Sequence, residues 1–245
     1  MKKIFNKKVL FALIIVILLA VSAFFVWSQI TYEAIDDSGI KLENNYSKEN
    51  DWIIYGDKNS TTGVILYPGA KVEPEAYGYL AQELAESNML VAIPKVTLNF
   101  AIFNYSKADE LIDEYNGVKN WIIGGHSMGG AAAAMYADKN MDQVQGLVLL
   151  GSYAAENETL ANSSLPVLSI SGSEDGLSTP EKIKDHKPYL PDNAEYFEIK
   201  GGNHAQFGVY GEQSGDKEAK ISVKKQQDII VDKIEKWAEQ HNWTK

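Results

Sequence analysis

The hydrophobic residues of the chain form one long run near its beginning and many short runs after residue 50. Residues 9–27 carry no charge, and Ser22 is the only mildly polar residue among them. A helix of this length measures about 28 Å at about 1.5 Å per residue, close to the roughly 30 Å hydrocarbon thickness of a bilayer. The pattern therefore predicts an N-terminal segment that directs the chain to a membrane.

The residues that flank this run predict its orientation. Lysines precede it at positions 2, 3, 7 and 8, and no acidic residue occurs before Glu33. We therefore expect the beginning of the chain to stay in the cytoplasm and the rest to be exported. We favour an uncleaved anchor, because residues 24–27 prolong the apolar run and Trp27 suits a membrane interface. The alternative is a secretory signal cleaved after the small residues at 21–23, which exports the same part of the chain.

The region between the apolar run and the first regular pattern is polar. Residues 31–50 contain the turn signal Asp-Asp-Ser-Gly at 36–39. They predict a tether that leads into a first strand around residues 40–42. We therefore divide the chain into a membrane segment at 1–30, a tether at 31–50 and a folded domain at 51–245.

Short apolar runs alternate with helical patterns through the rest of the chain. Helix periodicity is clearest at 75–87, where apolar residues recur three and four positions apart. The predicted strands are 52–55, 64–67, 89–93, 121–124, 146–150, 167–170 and 195–199, and the predicted helices are 75–87, 107–115, 128–137 and 223–239. Apolar strands that alternate with helices indicate one α/β domain, a mostly parallel sheet covered by helices on both faces. Ligands of such sheets bind where the strands end, so polar residues directly after strands are candidates for a site.

Charge and cysteine content narrow the classes of function. Residues 1–30 hold four of the 23 basic residues and none of the 33 acidic ones, so residues 31–245 carry 19 lysines and a formal charge of −14. This charge argues against a nucleic-acid partner, which would require clustered positive side chains. The chain has no cysteine, which excludes disulfides, a thiol nucleophile, thiolate metal sites and a lipoprotein anchor.

Residues 124–130, Gly-Gly-His-Ser-Met-Gly-Gly, join a predicted strand to a predicted helix. A serine at such a sharp turn exposes its hydroxyl, and glycines two positions to either side let the strand and the helix approach each other. Ser127 is therefore the candidate nucleophile. The amide of Met128, at the helix N-terminus, is a candidate donor to a developing oxyanion. A glycine-rich turn without chemistry is the alternative.

A serine nucleophile requires a base, and the base requires a carboxylate that orients it. Of the four histidines, His204 is the one that follows a predicted strand within a flexible Gly-Gly-Asn-His loop. We expect His126 to pack beside the serine, and the histidines at 186 and 241 to lie at the surface. The candidate acids after the preceding strand are Glu174 and Asp175, and we favour Asp175 because a glycine follows it. Ser127, Asp175 and His204 thus occur in the order nucleophile, acid, base, each after a predicted strand.

These motifs resemble those of the α/β-hydrolase family, over nearly all of residues 50–240. Gly-His-Ser-Met-Gly-Gly at 125–130 is similar to the nucleophile elbow of its esterases and lipases. The resemblance implies that the loop after an early strand, Tyr-Pro-Gly-Ala-Lys at 67–71, supplies a second oxyanion amide from Ala70, with Lys71 as the alternative donor. Many members carry a helical lid before the acid, but only residues 152–164 separate the strands here, so we expect no lid and an open site.

The combined expectation is a membrane-anchored, extracytoplasmic serine hydrolase that cleaves a carboxylic ester or a related small acyl substrate without a metal or cofactor. Acyl transfer or peptide cleavage by the same residues remains open, as does, less favoured, a non-catalytic binding protein on this fold. The aromatic stretch at 98–105 either borders the site or packs against the helix predicted at 107–115.

Overall fold

The computed structural model describes residues 7–36, 39–40, 45–156 and 160–244. In this part of the chain the strands are β1 (Tyr46–Glu49), β2 (Trp52–Tyr55), β3 (Thr62–Tyr67), β4 (Met89–Pro94), β5 (Asn120–His126), β6 (Gly146–Leu150), β7 (Val167–Gly172) and β8 (Glu195–Ile199). The α-helices are α1 (Lys7–Ser28), α2 (Gly78–Glu86), α3 (Ala108–Glu114), α4 (Met128–Lys139), α5 (Pro180–His186) and α6 (Val223–Gln240). Every strand predicted after residue 50 is present, and the predicted helices are present with small shifts at their ends.

The strands form one eight-stranded sheet in the order β1-β2-β4-β3-β5-β6-β7-β8. The six strands from β4 to β8 in this order are parallel. β1 and β2 are antiparallel strands on one side of the sheet. The predicted mostly parallel sheet is therefore confirmed. The parallel strands end at a common edge, called here the carboxyl edge, and the crossover connections return the chain to the opposite, amino edge.

Two hydrophobic cores cover the two faces of the sheet, which explains why its central strands are apolar without alternation. One core contains Leu80 of α2 with Ile230 and Trp237 of α6. The other contains Leu111 of α3 and the alanines of α4. Helices thus cover both faces, as predicted, and the small side chains of α4 allow this helix to lie close to the sheet.

The last described residues of the chain pack at the amino edge. Gly146 begins β6, and a side chain on it would collide with the rings of Trp237 and Trp243. The hydroxyl of Thr62, the first residue of β3, donates to the carbonyl of Trp243. The end of α6 and the residues after it therefore close the amino edge of the sheet.

The region predicted as a tether contains ordered contacts with the domain. The amide of Tyr32 donates to the Lys71 carbonyl at 2.7 Å, and the amide of Ile35 donates to the Val209 carbonyl at 3.0 Å. The first strand, predicted near residues 40–42, is instead β1 at Tyr46–Glu49. Ile40 lies outside any strand, and residues 41–44 lie outside the described residues. The division into segments 1–30, 31–50 and 51–245 stays a prediction.

Helix α1 is 22 residues long, and its side chains are exposed except at its last residue, Ser28. By length and composition it can cross a membrane, a test that a secretory signal also passes. Its final turn lies against the carboxyl edge of the sheet, where it contacts the segment after β4.

Candidate active site

Ser127 lies between the end of β5 and the beginning of α4, in a strained backbone conformation. Its φ is 53° and its ψ is −122°, a region that residues other than glycine rarely adopt and that is found preferentially at functional sites. The Ser127 amide donates to the carbonyl of Leu150 at the end of β6, at 3.0 Å. The turn is therefore fixed to the carboxyl edge, with Ser127 half-buried.

The glycines on either side of Ser127 are required by close packing. A Cβ on Gly125 would collide with the backbone of Gly129, and a Cβ on Gly129 would collide with the carbonyls of Tyr67 and Pro68 at the end of β3. A Cβ on Gly130 would meet the side chain of Ser152. The spacing that singled out this segment in the sequence therefore has the predicted steric cause.

Asp175 and His204 form a buried pair. Asp175 follows β7, His204 follows β8, and neither side chain is accessible to solvent. His204 Nδ1 lies 2.8 Å from Asp175 Oδ2. The other carboxylate oxygen, Oδ1, accepts the amides of Leu177 at 2.8 Å and Ser178 at 2.6 Å. These hydrogen bonds satisfy the carboxylate and orient it toward the histidine.

Glu174, the alternative acid, faces away from this pair. Its carboxylate forms an ion pair with Lys220, whose side chain is exposed. The hydrogen bond from Lys220 lowers the pKa of Glu174 below its ordinary value. Of the two candidate acids, the structure places only Asp175 against His204.

The second ring nitrogen of His204, Nε2, is buried and has no hydrogen-bond partner among the described residues. Because Nδ1 donates to Asp175, Nε2 carries the lone pair and can accept a proton. A buried acceptor without a partner is unusual in a folded protein and typical of a reactive site. The structure brings Asp175 and His204 into direct contact and places Ser127 on the same edge of the sheet. Among the described residues, however, Ser127 Oγ makes no hydrogen bond to His204.

His126 lies against His204, with 4.5 Å between the ring centroids. Its Nδ1 is 2.9 Å from the hydroxyl of Tyr77, which accepts the amide of Gly69 at 2.8 Å. Burial raises the pKa of Tyr77 above its ordinary value, so the phenol keeps its proton and donates it to His126 Nδ1. This assigns the proton of the His126 ring to Nε2, which is buried and has no hydrogen-bond partner in the part of the chain that the structure describes.

His126 is consequently a neutral, fixed side chain. Burial lowers the pKa of His126 well below its ordinary value and the nearby His204 ring lowers it further, while the His204 carbonyl opposes part of this change. The predicted packing role agrees with this environment. His186 and His241, expected at the surface, are half-buried and lie against the rings of Tyr153 and Trp243.

Two backbone amides are candidates for an oxyanion site beside Ser127. Met128 is the first residue of α4, so its amide has no acceptor within the helix. In the loop after β3, the Lys71 amide already donates to the carbonyl of Asn99 at 2.7 Å. Among the described residues the Ala70 amide has no acceptor, which favours Ala70 over Lys71 as the second donor.

A model of the alpha/beta hydrolase family matches residues 63–228, more than half of the chain. The chain belongs to this family. The predicted fold and family are therefore confirmed. No curated protein matches the sequence.

Solved structures with the same fold cover most of the hydrolase. An alpha/beta hydrolase enzyme from the metagenome of lagoon sediments at Mar Chica, Morocco, is 18% identical with a TM-score of 0.62, over 81% of this chain and 100% of that one. A protein from Thermoplasma acidophilum described as a predicted CIB-like hydrolase is 17% identical with a TM-score of 0.57, over 81% of this chain and 100% of that one. Est1E from Butyrivibrio proteoclasticus is 13% identical with a TM-score of 0.58, over 79% and 98%. At these identities the likeness shows the fold alone.

One residue of the hydrolase that sequence reasoning missed is Asp216. Its Oδ1 accepts the amide of Gly176 at 2.9 Å, and its Oδ2 accepts the amide of Ala205 at 2.8 Å. Gly176 follows Asp175, and Ala205 follows His204. The Asp216 carboxylate therefore connects the loop of the candidate acid to the loop of the candidate base.

The aromatic stretch after β4 makes a further contact that neither expectation included. Tyr105 and the beginning of α3 are held by the hydroxyl of Tyr67, which donates to the Tyr105 carbonyl and accepts the amide of Ala108 at 3.0 Å. Phe100, however, packs against rings of α1. The stretch thus connects the carboxyl edge of the hydrolase's sheet to its N-terminal helix, a contact that no local pattern signals.

Proposed function

We propose that the protein is a serine hydrolase that cleaves a carboxylic ester or a related acyl substrate, with Ser127 as nucleophile, His204 as base and Asp175 as the orienting acid. The observation that carries this proposal is the buried His204–Asp175 pair, whose free Nε2 lies on the same edge as the strained turn at Ser127. A histidine that is oriented by a carboxylate can remove the proton of a serine hydroxyl and so make the serine a nucleophile.

The reaction proceeds in two balanced halves. Ser127 Oγ forms a bond to the acyl carbon as its proton passes to His204 Nε2, and the negative charge on the former carbonyl oxygen is stabilised by the amides of Met128 and Ala70. The bond to the alcohol oxygen then breaks, and this oxygen takes the proton from His204, which leaves an acyl-enzyme. Water repeats the sequence, with His204 as base and then acid, and releases the carboxylic acid and Ser127.

We place this hydrolase at a membrane, with α1 as a single-pass anchor and the catalytic domain on the extracytoplasmic side. The support is the apolar, exposed helix α1 and the lysines that precede it. A cleaved signal would give the same side of the membrane with a secreted product.

Active-site labelling of the full chain in detergent tests the chemistry. A fluorophosphonate probe is expected to label the wild type and Ser47→Ala, a serine of β1 far from the site, but not Ser127→Ala. The labelling rate of His204→Ala is expected to be about a thousandfold lower than that of the wild type, because an unactivated serine reacts slowly. His186→Ala is expected to keep the wild-type labelling rate. Labelling of Ser127→Ala at the wild-type rate would exclude Ser127 as nucleophile.

Turnover of short-chain nitrophenyl esters separates hydrolysis from its alternatives. A chain that is labelled at Ser127 and hydrolyses these esters is a hydrolase. A chain that is labelled but does not turn them over would instead require another acyl acceptor or a peptide substrate. Absence of both would indicate a binding protein.

A further inference from the structure

The end of α1 is connected, through Asn99, to the loop that carries the proposed oxyanion donor. Asn99 Nδ2 donates to the Ser28 carbonyl at 2.9 Å. The Asn99 carbonyl accepts the amide of Lys71 at 2.7 Å, and the Lys71 carbonyl accepts the amide of Tyr32 at 2.7 Å. Lys71 directly follows Ala70. Two consecutive hydrogen bonds, between Ser28 and Asn99 and between Asn99 and Lys71, therefore connect the last turn of α1 to the carboxyl edge.

Aromatic contacts between the segment after β4 and the last turn of α1 determine where along the helix the domain is attached. We call this contact the junction. The ring of Phe100 stacks on Phe24 at 6.0 Å and on Trp27 at 5.8 Å between centroids, and the Lys71 ammonium lies 4.1 Å from the Trp27 ring centroid. Phe24 lies one helical turn before Ser28, about 6 Å along the axis. If α1 spans a bilayer, the segment after β4 therefore reaches the level at which the helix enters it.

Exposed apolar side chains surround the same junction. Ile30, Phe103 and Trp27 are 64%, 58% and 48% exposed, and Phe103 packs against Phe100 at 5.9 Å between ring centroids. We call these three residues the apolar rim. Large apolar groups gathered beside a membrane-length helix suit the bilayer interface, where aromatic rings are favoured, better than water.

The backbone next to the apolar rim is strained at three residues other than glycine. Leu98 and Asn99 have φ values of 55° and 61°, and Lys71 has a φ of 62°. Residues other than glycine remain in this region only when their surroundings hold them there. Here the two strained segments are the ones that bond to each other and to α1.

We propose, on the basis of the serine chemistry above, that the carboxyl edge rests on the bilayer and that the substrate is a long-chain acyl ester dissolved in the membrane. Its acyl chain passes from the bilayer over the apolar rim to Ser127, and one water and one ester give one fatty acid and one alcohol. The charge of −14 on residues 31–245 favours a neutral or zwitterionic lipid surface over an anionic one.

The position of the rim is tested by a single label, since the chain has no cysteine. Phe103→Cys is labelled with a nitrobenzoxadiazole dye in the full chain reconstituted in phosphatidylcholine vesicles. Tyr46→Cys is the matched control, because Tyr46 is an exposed aromatic residue of β1. We expect the dye at 103 to emit further to the blue and to be quenched by doxyl-phosphatidylcholine, and the dye at 46 to be unaffected. Equal emission and quenching at the two positions would overturn the placement.

The substrate class is tested in the same vesicles with two esters of one leaving group. Methylumbelliferyl oleate partitions into the bilayer, and methylumbelliferyl acetate stays in water. Phe103→Ser is expected to slow oleate cleavage about tenfold, the ratio that corresponds to removing a phenylalanine ring from an apolar environment, and to leave acetate cleavage within about twofold. Tyr46→Ser should change neither rate.

The outcomes separate this inference from the proposed function. Ser127-dependent acetate cleavage without oleate cleavage, or an equal effect of Phe103→Ser on both esters, overturns the membrane substrate and leaves the hydrolase. If the wild type cleaves neither ester and is not labelled at Ser127, the proposed function itself is overturned.

Discussion

Tyr77 determines which ring nitrogen of His126 carries the proton. Its hydroxyl accepts the Gly69 amide and donates to His126 Nδ1, while burial keeps the His126 ring neutral beside the ring of His204. A neutral neighbour does not repel the imidazolium that His204 becomes during the proposed reaction. The side chain before the nucleophile is thus part of the electrostatic environment of the base, although it makes no contact with substrate in the proposed mechanism.

The shifted pKa of His126 predicts a dependence of stability on pH. The folded state holds the pKa of His126 well below 6.5, so the unfolded chain binds a proton that the folded chain does not. The contribution to stability is therefore full above pH 6.5 and is lost as the pH falls below it. Between pH 7.5 and 5.5 this group should lower the free energy of unfolding by an amount on the order of 1 kcal/mol.

His126→Gln should remove that part of the pH dependence. The measurement is urea unfolding of the full chain in detergent at both pH values, followed by tryptophan fluorescence. An identical loss of stability in the wild type and the variant would mean that His126 does not carry the effect.

At the scale of elements, Asp216, which lies further along the connection between β8 and α6, aligns the loop after β7 with the beginning of that connection. Asp216→Ala removes the acceptor of both the Gly176 and the Ala205 amides, and unpaired amides of this kind cost about 1–3 kcal/mol each. We expect kcat for a soluble ester to fall about tenfold, because Asp175 and His204 lose their alignment. Glu212→Ala, an exposed acidic residue of the same loop, should keep the wild-type kcat, and a wild-type kcat in Asp216→Ala would dismiss the alignment role.

The elements that sequence reasoning identified are those whose pattern is dictated by the core. β2 and β6 were predicted at their observed bounds because all of their residues are buried, which gives uninterrupted apolar runs. β1 and α5 were missed because β1 has no buried residue and α5 buries only Ile183. Short, largely exposed elements leave little hydrophobic signal, since tertiary contacts rather than periodicity stabilise them.

The candidate site was predictable to the extent that it follows strands. Ser127, Asp175 and His204 each follow a strand of the sheet, and the glycine after Asp175 correctly favoured it over Glu174 as the partner of His204. Asp216 gave no signal, since its partners lie 40 and 11 residues away and its own loop is polar. The contact of Phe100 with α1 was equally hidden, because it joins residues more than 70 positions apart.

At the scale of the whole molecule, the last turn of α1 lies on the same side of the sheet as the candidate active site. Retention of α1 is expected because the apolar residues at 24–27 continue past the small residues where a signal would be cleaved. Mass spectrometry of the protein from membranes should therefore find residues 1–30 attached, and alkaline carbonate should not release the protein. A mature N-terminus at Phe24 would contradict the anchor.

The packing of Trp243 against the beginnings of β3 and β6 has a practical consequence for handling the protein. These residues lie at the amino edge, across the sheet from Ser127 and the end of α1. An affinity tag or fluorescent reporter joined after them projects away from the catalytic face. Immobilisation on a sensor surface through such a tag would leave the serine and the apolar rim facing the solution, ready to meet vesicles supplied in flow.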